Sequence, residues 1–194
     1  LNAAGVEAFN KKIIAASPTV YDMAAYPKTL SGKTVATYVN THTDLSDELY
    51  REGKLVSDNY KNILRSQTNA AAIPAEVTVR YGVTVRRANL RNLPTGEGLF
   101  FYASDRNFDA LQETALDPGE AVAILHTSTN GYFYYVQAYN YRGWLSKFDV
   151  AETDRSTWLR YAEPKNFLTV VAKDYTLKAD LSLIHISEPT RLRR

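Results

Sequence analysis

The sequence predicts an α+β protein, in which an N-terminal helical region precedes a small β-barrel and the start of a second β-domain. Two observations support this prediction. The first 75 residues place apolar side chains at helical spacing, and from Glu76 onward valine and aromatic residues alternate with polar ones. The 194 residues are 45% hydrophobic and 23% charged, which suits one large or two small folded domains rather than a disordered chain.

The helical region is expected to contain three helices and a linker. The first is predicted over Ala3–Ala16, where one apolar stripe is formed by Val6, Phe9, Ile13 and Ile14. Ser31 is expected to cap a second helix that ends at Asn40. A third is predicted from Ser46 to Gln67, with the acidic Asp44, Asp47 and Glu48 at its start and a helix-weakening Gly53 inside it. Residues 69–74 form the linker.

Five short strands joined by tight turns predict the small barrel. They are expected over Glu76–Tyr81, Val83–Arg87, Glu120–His126, Tyr132–Ala138 and Tyr141–Ser146. The long excursion between the second and third strands, Ala88–Gly119, is rich in turn-forming residues and is expected to be functional or locally ordered. After the barrel, a capped helix is predicted over Asp154–Tyr161. Strands over Phe167–Ala172 and Tyr175–Leu177 would open the second β-domain.

Composition excludes several kinds of chemistry. The chain has no cysteine, and therefore no disulfide, no thiolate zinc site and no cysteine nucleophile. The three histidines are dispersed, so we expect no metal ion and no cofactor; His126 is expected to have no metal or catalytic role, and His42 is interpreted as a surface residue at a helix end. No apolar run approaches the roughly 18 residues of a membrane span, so none is expected.

The C-terminal stretch Ser182–Arg191 is similar to the in-frame translation of a sequencing adapter, and we expect residues 182–194 to be non-native. The alternative is a short amphipathic strand with a basic end. These thirteen residues hold three arginines and one glutamate, a net of +2, which is the whole formal charge of the chain. Residues 1–181 are therefore neutral overall, which disfavours nucleic acid as a partner. We also expect the native protein to continue beyond Leu181.

Two motifs carry a resemblance to a known family. The strand Tyr132–Ala138 is followed by a tight turn and Gly143-Trp144-Leu145, and Val85–Thr95 is followed by Phe108–Gln112. Together they resemble the first bacterial SH3 domain, of the SH3b1 type, in multidomain NlpC/p60 cell-wall cysteine peptidases. The resemblance implies a helical clip at 1–75, an SH3-like barrel at 76–151, a helical linker at 152–166 and the start of a second SH3-like domain at 167–181.

The resemblance also implies a function. The chain would be the part of a secreted or cell-envelope bacterial endopeptidase that binds peptidoglycan stem peptides and gates the substrate, with a catalytic domain further along the same chain as its partner. Because such peptidases need a cysteine thiolate, this chain by itself is not expected to catalyse the reaction. The alternative is a non-enzymatic surface or adhesion protein whose SH3 repeats contact other proteins.

An aromatic cluster supplies the candidate ligand-binding residues, which are Phe133, Tyr135, Tyr139, Tyr141 and Trp144. If Val136 faces the barrel interior, strand alternation places Tyr134 and Tyr132 inside with it, and Phe133, Tyr135 and Gln137 outside. Rigid aromatic side chains with hydroxyl ends suit peptide or sugar ligands. The alternative is that these rings form barrel core and packing between domains. Proline-rich peptides are disfavoured, because Ser146 and Asp149 stand where two walls of the groove would be.

Arg91 is the remaining candidate, because a guanidinium in the Asn-Leu-Arg-x-x-Pro motif would bind a stem-peptide carboxylate through two hydrogen bonds. The alternative is a structural arginine that fixes the long loop to carbonyls, to Asp105 or to Asp109. The acidic residues of the same loop, Glu97, Asp105 and Asp109, are further candidates that would meet a free amine.

Overall fold

The computed structural model describes residues 2–17, 19–41, 44–166, 174–179 and 182–187. The chain divides into two units, Leu1–Glu163 and Pro164–Arg194. Among the described residues, no helix has the length and apolar character needed to cross a membrane.

The first helix, α1, spans Ala3–Ala16 as predicted. Asn2 caps it, because its side-chain oxygen accepts a hydrogen bond from the Gly5 N–H at 2.9 Å. The apolar stripe of α1 is exposed rather than packed, and Phe9 at its centre is 59% exposed.

Strand β1, Thr29–Ser31, leads directly into α2, Gly32–Asn40. Ser31 caps this helix as predicted, since its hydroxyl accepts from the Thr34 N–H at 3.1 Å. At Gly32 any Cβ would lie 1.9 Å from the carbonyl oxygen of Pro74, so only glycine allows the linker to pass this closely. Helix α2 is thereby held against the chain that enters the barrel.

The prediction of a helix from Ser46 to Gln67 is wrong in its first half. A two-stranded hairpin occupies that half, with β2 at Tyr50–Arg51 and β3 at Lys54–Leu55. Its turn residues, Glu52 and Gly53, both have positive φ, which a helix interior does not accept. Helix α3 is therefore limited to Asp58–Ser66 and is capped by Ser57. The acidic cluster of residues 44–48 consequently does not start a helix, and a 3₁₀ turn at Ala70–Ala72 ends the region.

The β-region is built from eight strands. They are β4 (Glu76–Thr78), β5 (Arg80–Thr84), β6 (Ala88–Arg91), β7 (Gln112–Leu116), β8 (Ala121–Thr127), β9 (Phe133–Gln137), β10 (Arg142–Ser146) and β11 (Val150–Thr153). Strand β4 pairs with β1, and the other seven form one antiparallel sheet in the order β11-β5-β8-β9-β10-β6-β7. A 3₁₀ turn, Lys147–Asp149, links β10 to β11.

The last three predicted strands are confirmed as β8, β9 and β10, each within two residues. The bounds predicted for the first two strands are wrong. Predicted strand Glu76–Tyr81 is split between two sheets, and Val83–Arg87 straddles the end of β5 and the bend before β6. The excursion Ala88–Gly119 is locally ordered, since it contains β6 and β7 at its two ends.

The central strands of the sheet, β8 to β10, are buried on both faces. The barrel interior holds Leu90, Val136 and Leu145, all fully buried. The opposite face of β9 and β10 carries Tyr135 and Trp144, which pack against helical-region residues including Met23, Val35 and Val39. The helical region therefore covers one outer side of the barrel and shares a hydrophobic core with it.

Helix α4, Arg155–Ala162, closes the first unit, and Asp154 caps it as predicted. Its Trp158 is fully buried and donates its indole N–H to the Val122 carbonyl at 3.0 Å. The helix thus fixes the end of the chain of this unit to strand β8.

The second unit contains one hairpin, in which β12 (Asp174–Ala179) pairs antiparallel with β13 (Ser182–Ser187). The predicted strand Tyr175–Leu177 lies within β12, whereas Phe167–Ala172 lies outside the described residues. Residues 182–187 form a short strand, as the alternative to an adapter-derived tail expected. The adapter origin of residues 182–194 stays a prediction, and residues 188–194 lie outside the described residues.

Candidate functional site

A cleft of about 530 Å³ lies where the helical region meets the outer face of the barrel. It is lined by Thr19, Val20, Tyr38, Thr41, Glu113, Tyr135, Gln137, Asn140, Tyr141 and Arg142. We call this the clip–barrel cleft. Its walls come from the segment before β1, from α2, from the edge strand β7, and from the β9–β10 hairpin.

Strand register explains why these side chains meet. Arg142 pairs with Gln137 and Trp144 pairs with Tyr135 across the β9–β10 ladder, so all four project from the same face. Val136 projects from the other face into the barrel interior. The outward orientation predicted for Tyr135 and Gln137 is therefore confirmed, and the cleft is the part of this face that the helical region leaves uncovered.

Arg142 is held by aromatic rings. Its guanidinium carbon lies 3.6 Å from the ring centroid of Tyr38 on α2 and 5.9 Å from that of Tyr21. Contacts of this kind stabilise a cation by about 0.5–2 kcal/mol, more when water is excluded. The arginine thus joins the barrel to the helical region through these ring contacts.

Tyr135 forms a second link across the same junction. Its hydroxyl donates to the backbone carbonyl of Tyr38 at 2.9 Å. Burial raises the pKa of Tyr135, so the phenol stays protonated and keeps this hydrogen bond at all physiological pH values. Among the described residues of the lining, Glu113 of β7 is the only carboxylate; it is exposed and gives the cleft charges of both signs.

The predicted aromatic residues divide into two groups. Trp144 is fully buried and packs edge-to-face with Tyr135 at 5.2 Å, so the expectation of an exposed aromatic surface is wrong for these two positions, and the partly buried Phe133 packs against the same core. The alternative, packing between domains, describes them. Tyr139 and Tyr141 are 51% and 40% exposed, and Tyr141 lines the cleft.

Tyr132 was expected inside the barrel and is instead 55% exposed. It precedes β9, so strand alternation does not apply to it, and its ring lies 5.9 Å from that of Phe148. Tyr139 contributes its backbone to the junction, because its carbonyl accepts from the Tyr21 N–H at 2.7 Å.

Arg91 has the structural role. Its guanidinium is 6% exposed, pairs with Asp109 at 2.7 Å and donates to the Glu97 carbonyl at 2.6 Å. Asp109 also accepts hydrogen bonds from the N–H groups of Leu99 and Leu111. The buried ion pair therefore connects Arg91, at the start of the long loop, to the segment near its end. The guanidinium is not presented to solvent for a stem-peptide carboxylate.

The other acidic residues of this loop, Glu97 and Asp105, also form hydrogen bonds or ion pairs within the protein. Glu97 pairs with Arg51 at 2.7 Å and accepts from the Tyr60 hydroxyl. Burial, with the hydrogen bond to Glu97, raises the pKa of Tyr60 to about 12. Asp105 accepts from the N–H groups of Asn107 and Phe108, which organises the loop tip.

His126 links the barrel to the helical region. Its Nε2 donates to the Asn69 carbonyl at 3.0 Å, and burial lowers the pKa of the imidazole. Within the described parts of the chain, no group of three or more histidine, cysteine or carboxylate side chains could hold a metal ion. His42 lies outside the described residues.

Sequence reasoning missed Tyr38, Glu113 and Arg142 as cleft residues. Arg142 directly follows the predicted residue Tyr141, and its strand register with Gln137 was available to place it. Nothing in the sequence indicated Glu113 or Tyr38, since they come from β7 and α2, whose approach to the hairpin is set by the tertiary fold.

The first unit is a small β-barrel with an attached helical region and a cleft between them. Residues 99–146 match the family model of the SH3 domain of the SH3b1 type. The resemblance expected from the sequence is confirmed there. No curated protein sequence matches the chain significantly.

Among solved structures, the chain is similar to an NlpC/P60 endopeptidase from Photobacterium damselae subsp. piscicida. The two share 17% sequence identity with a TM-score of 0.65, over 96% of this chain and 45% of that one. At this identity the likeness establishes a shared fold. The chain thus spans less than half the length of that relative.

Proposed function

We propose that this chain is a cell-wall-binding accessory region that takes peptidoglycan stem peptides in the clip–barrel cleft. The SH3b1 match and the NlpC/P60 fold support the choice of cell wall over other ligands. The proposal places the protein in the bacterial cell envelope or outside the cell.

The observation that carries the proposal is the composition of the cleft. Arg142 and Glu113 supply opposite charges, and the half-exposed Tyr141 supplies a ring with a hydroxyl. Stem peptides carry free carboxylates, amide groups and, where the diamino acid is not cross-linked, an amine. A cleft with a cation, an anion and an amphipathic ring offers a complement to each of these groups.

Retention on purified sacculi tests the proposal, with two tyrosine variants as a matched pair. Tyr141→Ala removes a cleft residue, and Tyr132→Ala removes a tyrosine of similar exposure that does not line the cleft. We expect Tyr141→Ala to weaken retention about tenfold, the size of a moderate interface contact. Tyr132→Ala should bind like the unmodified chain.

Absence of retention by the unmodified chain would refute cell-wall binding and favour the alternative of a protein-contacting surface module. Equal loss in the two variants would keep cell-wall binding and remove the cleft as its site.

We further propose that the parent protein is an NlpC/p60-like cysteine endopeptidase whose catalytic domain follows this region. The structural neighbour, of which this chain spans 45%, supports that reading. The uncontaminated reading frame beyond Leu181 tests it. A downstream cysteine with two histidines is expected, and a stop codon or an unrelated domain would contradict it.

A further inference from the structure

We infer that the clip–barrel cleft selects a free carboxylate, with Arg142 as the residue that binds it. This inference rests on the proposed function, since it names the chemical group of the stem peptide that the cleft recognises.

The side chain of Arg142 has no acceptor among the described residues, in contrast to the arginines that form ion pairs around the barrel. Five arginines of this unit pair with a carboxylate: Arg51, Arg80, Arg86, Arg87 and Arg91. The side chain of Arg142 makes no hydrogen bond and no ion pair with any of the described residues, and its Nη1 is buried without a partner. A guanidinium in this state lacks the acceptors that a partly buried cation ordinarily has.

The aromatic contacts determine which part of the guanidinium remains for a ligand. The ring of Tyr38, whose centroid lies 3.6 Å from the guanidinium carbon, stacks on a face of the planar group, so an acceptor in the cleft would approach the guanidinium along its N–H edge. That edge matches the two oxygens of a carboxylate with a pair of parallel hydrogen bonds.

The surroundings favour a carboxylate on a peptide over a more highly charged anion. Glu113 lines the same cleft and would repel a phosphate dianion, whereas a peptide can direct a carboxylate to Arg142 and an amine to Glu113.

Gln137 provides an independent observation. It is 1% exposed, and its Nε2 donates to the carbonyls of Ala138 and Tyr141 at 2.6 and 3.1 Å, which fixes the orientation of the amide. Its Oε1 is buried without a partner and can only accept. Gln137 lies directly opposite Arg142 in the β9–β10 register, and both residues line the cleft, where the Gln137 Oε1 lacks a donor and the Arg142 Nη1 lacks an acceptor. A ligand that carries a carboxylate beside an N–H, as a peptide does, satisfies both.

Calorimetric titration of the full chain with a defined pair of probes tests the inference. The first probe is the tripeptide L-alanyl-γ-D-glutamyl-L-lysine with both carboxylates free. The second is the same tripeptide with both carboxylates converted to amides. We expect the unmodified chain to bind the amidated probe about tenfold more weakly or worse, since a charge-assisted pair of hydrogen bonds is lost.

Arg142→Gln should remove the discrimination and bind the two probes equally, whereas Arg87→Gln, whose exposed side chain pairs with Asp117, should keep it. The probe pair is compared first on the unmodified protein, so the result does not depend on whether a variant folds.

Equal affinity of the unmodified chain for the two probes would overturn the inference, as would no binding of the free tripeptide. If the unmodified chain is still retained on sacculi in either case, the proposed cell-wall binding stands and only the carboxylate site is removed. If discrimination survives Arg142→Gln in a folded variant, another cation binds the carboxylate and the assignment of Arg142 is wrong.

Discussion

The buried ion pair between Arg91 and Asp109 allows a direct test of whether Arg91 stabilises the fold or binds a ligand. The two side chains are 6% and 17% exposed and lie 2.7 Å apart. Replacing Arg91 with glutamine leaves Asp109 as an unpaired charge in a water-poor site and releases the Glu97 carbonyl. Removing one partner of such a pair costs about 3–5 kcal/mol.

Asp109 keeps two backbone N–H donors, from Leu99 and Leu111, which continue to solvate its charge after the substitution. We therefore expect a cost at the lower limit, about 3 kcal/mol. With an m-value of about 2 kcal/mol/M, the urea midpoint would decrease by about 1.5 M.

Urea unfolding followed by tryptophan fluorescence measures this change, because Trp144 and Trp158 are both fully buried. Arg87→Gln is the control. Its ion pair with Asp117 joins side chains that are 64% and 47% exposed, so its loss should cost less than about 1 kcal/mol. A change below about 1 kcal/mol in Arg91→Gln, together with lost sacculus retention by the folded variant, would refute the structural role and restore the ligand-binding interpretation.

Three further outcomes are expected. Below pH 6.5 the free energy of unfolding should decrease, because burial lowers the pKa of His126 in the folded state and the unfolded chain then binds more protons. In urea titrations, the free energy of unfolding of His126→Gln should decrease less between pH 7.5 and 5.5 than that of the unmodified chain. Gly143→Ala should lower the thermal midpoint at a cost of about 1–3 kcal/mol, since its Cβ would lie 2.7 Å from the Arg91 carbonyl oxygen; an unchanged midpoint would contradict this close approach. Phe9→Ser should leave the stability within about 0.5 kcal/mol of the unmodified chain, because Phe9 is exposed; a larger loss in urea would mean that the helix α1 stripe is packed.

Local signals predicted individual elements well where they were complete. Helix α1 has an Asn cap, helical spacing and a Ser-Pro stop, and its predicted bounds are those observed. The second half of the third helix was also predicted correctly. Its first half failed because the apolar spacing of residues 49–56 fits a hairpin as well as a helix, and Gly53 at positive φ decides for the hairpin. The backbone bonds between Tyr50 and Phe100 stabilise that choice from a distant part of the chain.

The candidate site was predictable only in part. Alternation along β9 correctly separated the two faces at Val136 and Tyr135. It did not indicate which outward residues another element covers, so Trp144 and Tyr135 were expected at the surface although α2 and its neighbours bury them. The Asn-Leu-Arg-x-x-Pro motif was compatible with two partners for Arg91, Asp109 or a ligand carboxylate. The sequence alone did not distinguish between these two roles.

The sequence by itself determined the strand faces of the β9–β10 hairpin, the capped helices, the SH3b1 resemblance and the absence of a cysteine nucleophile in these 194 residues. These features depend on residue identity and on spacing over a few positions. The tertiary structure decided which aromatic faces are buried, which arginines have carboxylate partners and where a cleft remains. Those outcomes depend on contacts between residues far apart in the chain, such as Tyr38 with Arg142, and local patterns do not encode which distant surface covers a given face.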